Sequence, residues 1–197
     1  MKQFKTVFLL LVPVLLTSCS GGQSLRCETF DTLALGDRIT VFTQGGPPGN
    51  TFQPPNGDFV GRVFYDADGN PTSDGFAEIE NATRAGGTGH DVEVNNINFS
   101  FSANFGQTLN KVKFSFGEYG GNLNLSINGQ MVNFDNFVDI DGQVIGGVKV
   151  TVLSGGLGND SGEIELNGTI RDETNSGHIT VGGQELWIDN FCWEPAH

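Results

Sequence analysis

Few residues of this chain stand in a pattern that could carry out catalysis. Its three histidines lie far apart and have none of the spacings that bind a metal, so each is most simply a solvated residue: His90, His178 and His197. Glu118 and Glu185 lie near aromatic residues and glycines, and glycosidases take their two carboxylates from distant strands. A glycoside hydrolase would use these two glutamates as its pair. The alternative is that each is an exposed glutamate at a turn.

Aromatic residues next to polar ones indicate binding rather than catalysis. Sugar rings stack on exposed aromatic faces, while Asn, Asp and Glu side chains form hydrogen bonds with the hydroxyl groups. The aromatic candidates are Tyr119, Trp187 and Trp193. Their polar partners would be Glu118, Asn122 and Asn124. The alternative is that the two tryptophans are core residues near the end of the chain.

The first residues of the chain predict an export signal. A positively charged segment, residues 1–5, precedes an apolar run, residues 6–16, which contains Pro13 and is short for a membrane core about 30 Å thick. The sequence that follows, Leu16-Thr17-Ser18-Cys19, resembles the bacterial lipoprotein signal, in which the chain is cut before a cysteine that is then diacylated. An ordinary cleaved signal peptide is the alternative.

The lipoprotein resemblance implies an address and a domain plan. Residues 1–18 would be the signal peptide, residues 19–25 a flexible linker with its lipid (palmitate among the acyl chains) on Cys19, and residues 26–194 the folded domain. The lipid bilayer is then a partner. Because no aspartate follows Cys19, the pattern resembles lipoproteins sent to the outer membrane of a two-membrane envelope. We therefore expect an exported protein anchored in the cell envelope.

Lipidation of Cys19 would leave two cysteines, Cys27 and Cys192, in an oxidising compartment. We expect these two to form a disulfide. Closing so long a loop would stabilise the fold by about 4 to 5 kcal/mol in the chain-entropy model. Two free thiols that bind a metal are the alternative, but no other Cys or His lies near them in sequence. The disulfide would place the first and last strands side by side.

Hydrophobic residues between the two cysteines alternate with a period of two, which predicts β-strands along nearly the whole chain. The alternation changes phase at Asn95-Asn96, as it does across a β-bulge. Asn128-Gly129 predicts a type I′ hairpin, and Gly182-Gly183 predicts a turn before the last strand. No segment has a helical period with capping residues. We therefore predict an all-β fold, a single antiparallel β-sandwich of the jelly-roll type with little or no helix.

The two ends of this domain resemble those of secreted jelly-roll domains related to carbohydrate-binding modules and PEP-CTERM-type surface proteins. At the start, Cys27 is followed by Phe30-Asp31 and a turn with Gly36. At the end, the chain reads Leu-Trp-Ile-Asp-Asn-Phe over residues 186–191. We do not find the paired glutamates on one strand that mark laminarinase-like sandwich hydrolases. The resemblance therefore favours a binding domain over an enzyme.

The same resemblance implies a structural calcium ion, held between an acidic residue of the first strand and the aspartate of the last. The ligands here would be Glu28, Asp31 and Asp189. An aspartate within an apolar strand is costly if it is buried alone, so Asp189 would contact a cation or face water. The segment from Asp66 to Asn70 is a second calcium candidate, for which a plain β-turn is the better interpretation.

The chain is strongly acidic, with 23 acidic against 10 basic residues and a net charge of −13. Such a surface repels nucleic acid, which we exclude as a partner; the alternative meaning of the charge is solubility alone. We expect a non-catalytic envelope binding module for a glycan, which would be a neutral or cationic polysaccharide rather than an acidic one. A structural or protein-interaction lipoprotein is the alternative, and a glycoside-active enzyme is third.

Overall fold

The computed structural model describes residues 25–41, 51–72, 74–103, 107–154, 160–173 and 177–196. Cys19 and the rest of the predicted leader lie outside these residues. Within them, no helix is both long enough and apolar enough to cross a membrane. One short 3₁₀ helix occupies Phe137–Ile140. The strands are β1 (Arg26–Glu28), β2 (Arg38–Thr40), β3 (Thr51–Phe52), β4 (Gly57–Tyr65), β5 (Pro71–Thr72), β6 (Phe76–Glu80), β7 (Asp91–Asn95), β8 (Ile97–Ala103), β9 (Leu109–Ile127), β10 (Gln130–Phe134), β11 (Val144–Ile145), β12 (Val148–Ser154), β13 (Asp160–Ile170) and β14 (Ile179–Pro195).

All of these strands connect into one antiparallel sheet, which confirms the predicted all-β fold. Its main path runs β11-β12-β13-β9-β14-β7-β6-β2, with β1, β4 and β8 joined to it through β14. The two longest strands, β9 with 19 residues and β14 with 17, lie side by side along almost their full length. They form the spine on which the other strands are arranged.

The sheet folds over itself, and the bend is visible in β14. Phe101 on β8 lies opposite Ile179, at the start of β14. Trp193 lies near the other end of that strand, which would be about 45 Å away if β14 were straight. Yet the ring centroids of Phe101 and Trp193 are 4.8 Å apart. The two halves of the sheet therefore enclose one core between them, as a sandwich does, although the strands are not divided into two separate sheets.

Two residues with positive φ mark the places where strands change neighbours. Asn96 (φ 51°) separates β7 from β8, so the predicted change of phase falls at a break between two strands. The two strands keep the same register with β14, so the break contains no extra residue of the kind that a β-bulge inserts. Asn190 (φ 49°) interrupts β14 between the part that pairs with β7 and the part that pairs with β1. The predicted type I′ hairpin is confirmed, since Asn128 (φ 49°) and Gly129 (φ 76°) join β9 to β10.

Gly182-Gly183 does not form the predicted turn, because both residues lie inside β14. Gly182 is needed for a close approach between strands. A Cβ atom at this position would lie 2.2 Å from Oδ1 of Asn98 and 2.4 Å from the carbonyl oxygen of Ile97. The glycine pair therefore lets β8 lie close against β14.

The predicted disulfide is present between Cys27 and Cys192. These residues lie directly opposite each other where β1 pairs with the end of β14, and their Cα atoms are 4.0 Å apart. The first and last strands of the domain are therefore neighbours, as expected.

Candidate functional site

The three predicted calcium ligands, Glu28, Asp31 and Asp189, have different surroundings in the structure. Glu28 is buried opposite Phe191, and its Oε1 accepts a hydrogen bond of 2.7 Å from Nδ2 of Asn56. Its carboxylate thus already has a partner on another segment of the chain. Within the described part of the chain, no three His, Cys, Asp or Glu side chains are grouped so that they could hold a metal ion. The predicted set of three carboxylates is therefore not assembled.

Asp189 is the most perturbed acid of this region. It is only 2% exposed, and its two oxygens accept hydrogen bonds from the backbone N–H (2.6 Å) and the side-chain amide (3.1 Å) of Asn190. Burial is the main reason that the pKa of Asp189 is raised to about 6, and the negative charges of Asp31 and Asp91 also raise it. The hydrogen bond from the backbone N–H of Asn190 acts in the opposite direction and lowers the pKa. At neutral pH this carboxylate is a buried anion next to two like charges.

Asp91 is the neighbour that the sequence did not reveal. The β7–β14 register, in which Ile188 lies opposite Val92, places Asp91 beside Asp189. Asp91 is itself buried, and its oxygens accept hydrogen bonds from the backbone N–H groups of Ala82 (3.1 Å) and Arg84 (2.8 Å). The only sequence signal was its place at the start of a strand, directly after a glycine-rich segment.

The loop over residues 81–90 lies directly on the carboxylates of Asp189 and Asp31. A Cβ atom at Gly87 would be 1.9 Å from Oδ2 of Asp189, and one at Gly89 would be 2.1 Å from Oδ1 of Asp31. That same Oδ1 accepts a hydrogen bond of 2.8 Å from the backbone N–H of His90, which helps to lower the pKa of Asp31. The glycines therefore allow main chain to approach both carboxylates.

The second calcium candidate closes its own turn. Oδ1 of Asp66 accepts hydrogen bonds from the backbone N–H groups of Asp68 (3.0 Å) and Asn70 (2.8 Å). These hydrogen bonds lower the pKa of Asp66, and the bond from the backbone N–H of Asn70 has the largest effect. The segment is a β-turn capped by its first aspartate, as the sequence favoured.

Tyr119 and Trp187 are in contact, but a cation covers them. Their rings meet edge to face with centroids 5.0 Å apart. The guanidinium of Arg84 lies 4.3 Å from the centre of the Trp187 ring and 4.9 Å from that of Tyr119. Trp187 is only 5% exposed. The predicted stacking face is therefore largely occupied by Arg84 in a cation–π contact.

A carboxylate group next to these aromatics was missed in the sequence. Glu78 and Glu80 lie two residues apart on β6 and so point to the same face. Glu93 lies opposite Glu78 on β7, and Nε1 of Trp187 donates a hydrogen bond of 3.1 Å to Oε2 of Glu80. Burial, followed by the charge of Glu80, raises the pKa of Glu93.

Trp193 and Glu118 belong to the interior. Trp193 has no exposed surface and packs against Phe101 and Phe191, so its ring is part of the core, as the alternative interpretation held. Oε2 of the buried Glu118 accepts a hydrogen bond of 2.9 Å from the backbone N–H of Phe137.

The structure does not bring Glu118 and Glu185 together as a pair. Glu118 lies opposite Leu186 and is buried, whereas Glu185 lies opposite Gly120 and is exposed.

Asn124 and Asn122 both form hydrogen bonds with the backbone of Tyr65, the last residue of β4. Asn124 accepts from the backbone N–H of Tyr65 (3.0 Å) and donates to its carbonyl oxygen (2.9 Å). Nδ2 of Asn122 donates to the same carbonyl at 2.8 Å. Both asparagines are buried, so their amides fix the end of β4 over the middle of β9. Asn124 is therefore a structural residue, while Asn122 also reaches a surface depression.

That depression is one of three adjacent depressions that share lining residues, and we call the three together the amide groove. The first, of about 370 Å³, is lined by Asn95, Asn96, Gly120, Gly121, Gln184 and Glu185. The second, of about 340 Å³, shares Gly120, Gly121 and Gln184 and adds Ala67, Asn122, Asp135 and Asn136. The third, of about 480 Å³, shares Ala67 and Asp135 and adds Val132, Asn133, Phe134, Asp139, Ile140 and Gln143. Seen from the sequence, these residues come from five separate segments, which is why no local pattern indicated the groove.

The amide groove is polar and acidic. Its lining consists mostly of asparagine and glutamine side chains with the carboxylates of Glu185, Asp135 and Asp139, and no lysine or arginine of the described chain lines it. Its one aromatic residue, Phe134, is buried. Recognition in this groove would therefore depend on hydrogen bonds and charge, not on aromatic stacking.

Comparison with protein-family models, with curated proteins and with solved structures finds no match to this chain. The resemblance of the two chain ends to carbohydrate-binding jelly rolls stays a prediction. The amide groove and the acidic sites are therefore the features that bear on the function of this chain.

Proposed function

We propose that this protein is a non-catalytic binding module for a glycan, held in the cell envelope by a lipid on Cys19. The observation that carries the proposal is the amide groove. Side-chain amides both donate and accept hydrogen bonds, as sugar hydroxyl groups do. Each depression also lies within the size range of small-ligand sites.

The walls of the groove are held in place before a ligand arrives. Oε1 of Gln184 accepts a hydrogen bond of 3.0 Å from the backbone N–H of Asn122. The side chain of Gln184 also lies against Gly121, where a Cβ atom would be 2.2 Å from its Oε1. Because these groups are already ordered, binding need not immobilise them at a cost in conformational entropy.

A glycan array with detergent-solubilised full-length protein tests the proposal. We expect binding to one or more polysaccharides, weakened by Gln184→Leu, which removes a groove amide at nearly constant size. The matched control is Gln53→Leu, at an exposed glutamine outside the groove. Absence of binding to every glycan would favour the structural or protein-interaction lipoprotein instead.

The lipid anchor is tested separately. Growth of cells with a fatty-acid analogue should label the wild-type protein and not Cys19→Ala. Label that persists on the variant would place the lipid elsewhere or point to an ordinary signal peptide.

A structural calcium ion is the second part of the proposal. Asp31 and Asp189 fit it, because both carboxylates lie against the same glycine-containing loop and Asp189 is a buried anion. Glu28 does not fit, since it is bound to Asn56. Calcium accepts backbone carbonyl oxygens and water beside carboxylates, so two side chains can supply part of its shell. The ion would supply positive charge to Asp189, whose pKa the charges of Asp31 and Asp91 help to raise.

A glycoside-active enzyme is the second candidate function, and one observation favours it. Glu80 and Glu93 lie on one face beside Trp187, and the raised pKa of Glu93 suits a group that gives up a proton. Release of reducing ends from a bound polysaccharide by the wild type, but not by Glu93→Gln, would establish it. Binding without any release would leave the non-catalytic module.

A further inference from the structure

We infer that the ligand of the amide groove is a chain that carries free amino groups, and that one amine binds at the end of the groove formed by Asp135 and Asp139. This inference rests on the proposed glycan-binding function and names the class of glycan. It follows from the length of the groove, from the distribution of its charges and from one unsatisfied acceptor in its middle.

The groove is long enough for a chain of several sugar rings. It runs beside β10 from Val132 to Asp135, which covers about 10 Å. It then crosses β9 and β14 towards β7, and two strand spacings add about 10 Å. Because neighbouring depressions share residues, a ligand of this length could contact all three.

Carboxylates line both ends of the groove, Asp135 is shared between the second and third depressions, and amides line all three. Glu185 belongs to the first depression, and Asp135 and Asp139 belong to the third. Asp135 and Asp139 are exposed, and the one groove hydrogen bond to either comes from the backbone N–H of Asn136 to Asp139 (2.9 Å). Without a basic residue in the lining, this end attracts a cation and repels an acidic sugar.

The middle of the groove contains an acceptor that lacks a donor. Asn122 is only 3% exposed, and its Oδ1 has no hydrogen-bond partner. Its orientation is settled by its other amide atom, Nδ2, which donates to the carbonyl oxygen of Tyr65 at 2.8 Å. A flipped amide would place two oxygens together. A donor group of a ligand that entered this depression would satisfy the atom, and an ammonium group offers three donors.

Titration calorimetry with equal-length oligomers of glucosamine, N-acetylglucosamine and glucose tests the inference on the full-length protein at pH 6. We expect the glucosamine oligomer to bind about ten-fold more tightly than the glucose oligomer at low salt, with the preference falling as salt is added. The Asp135→Asn/Asp139→Asn double variant should reduce the preference to about two-fold or less. Asp74→Asn, at an exposed aspartate outside the groove, should leave it unchanged.

Each other outcome has a distinct meaning. Equal binding of the three oligomers would overturn the inference and leave the proposed function intact. A double variant that weakens all three oligomers alike would also overturn it, because the aspartates would then act through shape. Equally tight binding of oligolysine would show unspecific charge attraction and overturn it too. Failure of every oligomer to bind would remove the inference and count against the glycan function itself.

Discussion

Cys27 lies directly opposite Cys192, with 4.0 Å between their Cα atoms, and the disulfide between them joins residues separated by 165 positions. Apart from its short pairing with β14, β1 makes few contacts with the sheet, so the bond fixes the start of the domain to its end. The Asp31 carboxylate follows shortly after β1, so the disulfide also helps to hold it near Asp189.

The disulfide should contribute strongly to stability. In the chain-entropy model a loop of this length is worth about 5 kcal/mol, although measured gains are often smaller. We expect Cys27→Ala/Cys192→Ala to lower the melting temperature by about 10 to 15 °C while the β-sheet spectrum is retained. Thiol titration of the denatured, unreduced wild type should find neither cysteine free. Two reactive thiols there would contradict the closed-termini arrangement.

The buried Asp189 should make the protein less stable as pH rises. Its pKa is raised from 3.8 to about 6, so the folded state binds the proton more tightly than the unfolded state does. Stability that is present below about pH 4 is then lost as pH rises through about 6, by on the order of 2 to 3 kcal/mol. In EDTA at pH 7.5, Asp189→Asn should therefore melt about 5 to 10 °C above the wild type. A wild type whose stability is constant from pH 4 to 7 would contradict this.

Calcium should cancel that difference in melting temperature. At a hundred times its dissociation constant, calcium would stabilise the wild type by about 2.7 kcal/mol, and Asp189→Asn should lose this gain. Glu28→Gln serves as the matched control, since its carboxylate is bound to Asn56 and should not affect the calcium response. The measurement is the melting temperature of each protein in calcium and in EDTA. A wild type with one melting temperature in both would show that no calcium site exists.

Gly182→Ala should destabilise the fold even though it only adds a methyl group. The new Cβ atom would lie 2.2 Å from Oδ1 of Asn98, so β8 would have to move away from β14. We expect a loss of about 2 to 4 kcal/mol in urea unfolding. Gly69→Ala is the control, because its Cβ would meet nothing and only its positive φ costs about 1 kcal/mol. Equal losses at the two positions would refute the close-packing role of Gly182.

Asn124→Ala should cost more than loss of an exposed asparagine. It removes both hydrogen bonds between Asn124, which is fully buried, and the backbone of Tyr65, and leaves the Tyr65 N–H without this acceptor. The expected decrease in unfolding free energy is about 2 to 4 kcal/mol. Asn133 also donates to the Tyr65 carbonyl but is exposed, so Asn133→Ala should cost about 0.5 kcal/mol. Similar values for the two variants would mean that the buried amide is not the main restraint.

The sequence by itself determined the features that depend on neighbouring residues. The period-two alternation predicted the all-β fold, and Asn128-Gly129 predicted the hairpin because both residues tolerate positive φ. The phase change at Asn95-Asn96 fell at the boundary between β7 and β8. The cysteine pairing was predictable for a different reason, namely that few cysteines were left to choose from. Each of these inferences needed only a short segment or a count.

The tertiary structure alone decided which distant residues meet. Gly182-Gly183 was compatible with a turn and with a close approach of strands, and only the position of β8 distinguishes them. Asp91 lies beside Asp189 because of the β7–β14 register, which a single strand pattern does not encode. The amide groove combines side chains from five segments, and Trp193 is buried because β14 bends. Local patterns specify the backbone of a strand, whereas pairing register and sheet bending depend on the packing of the whole core.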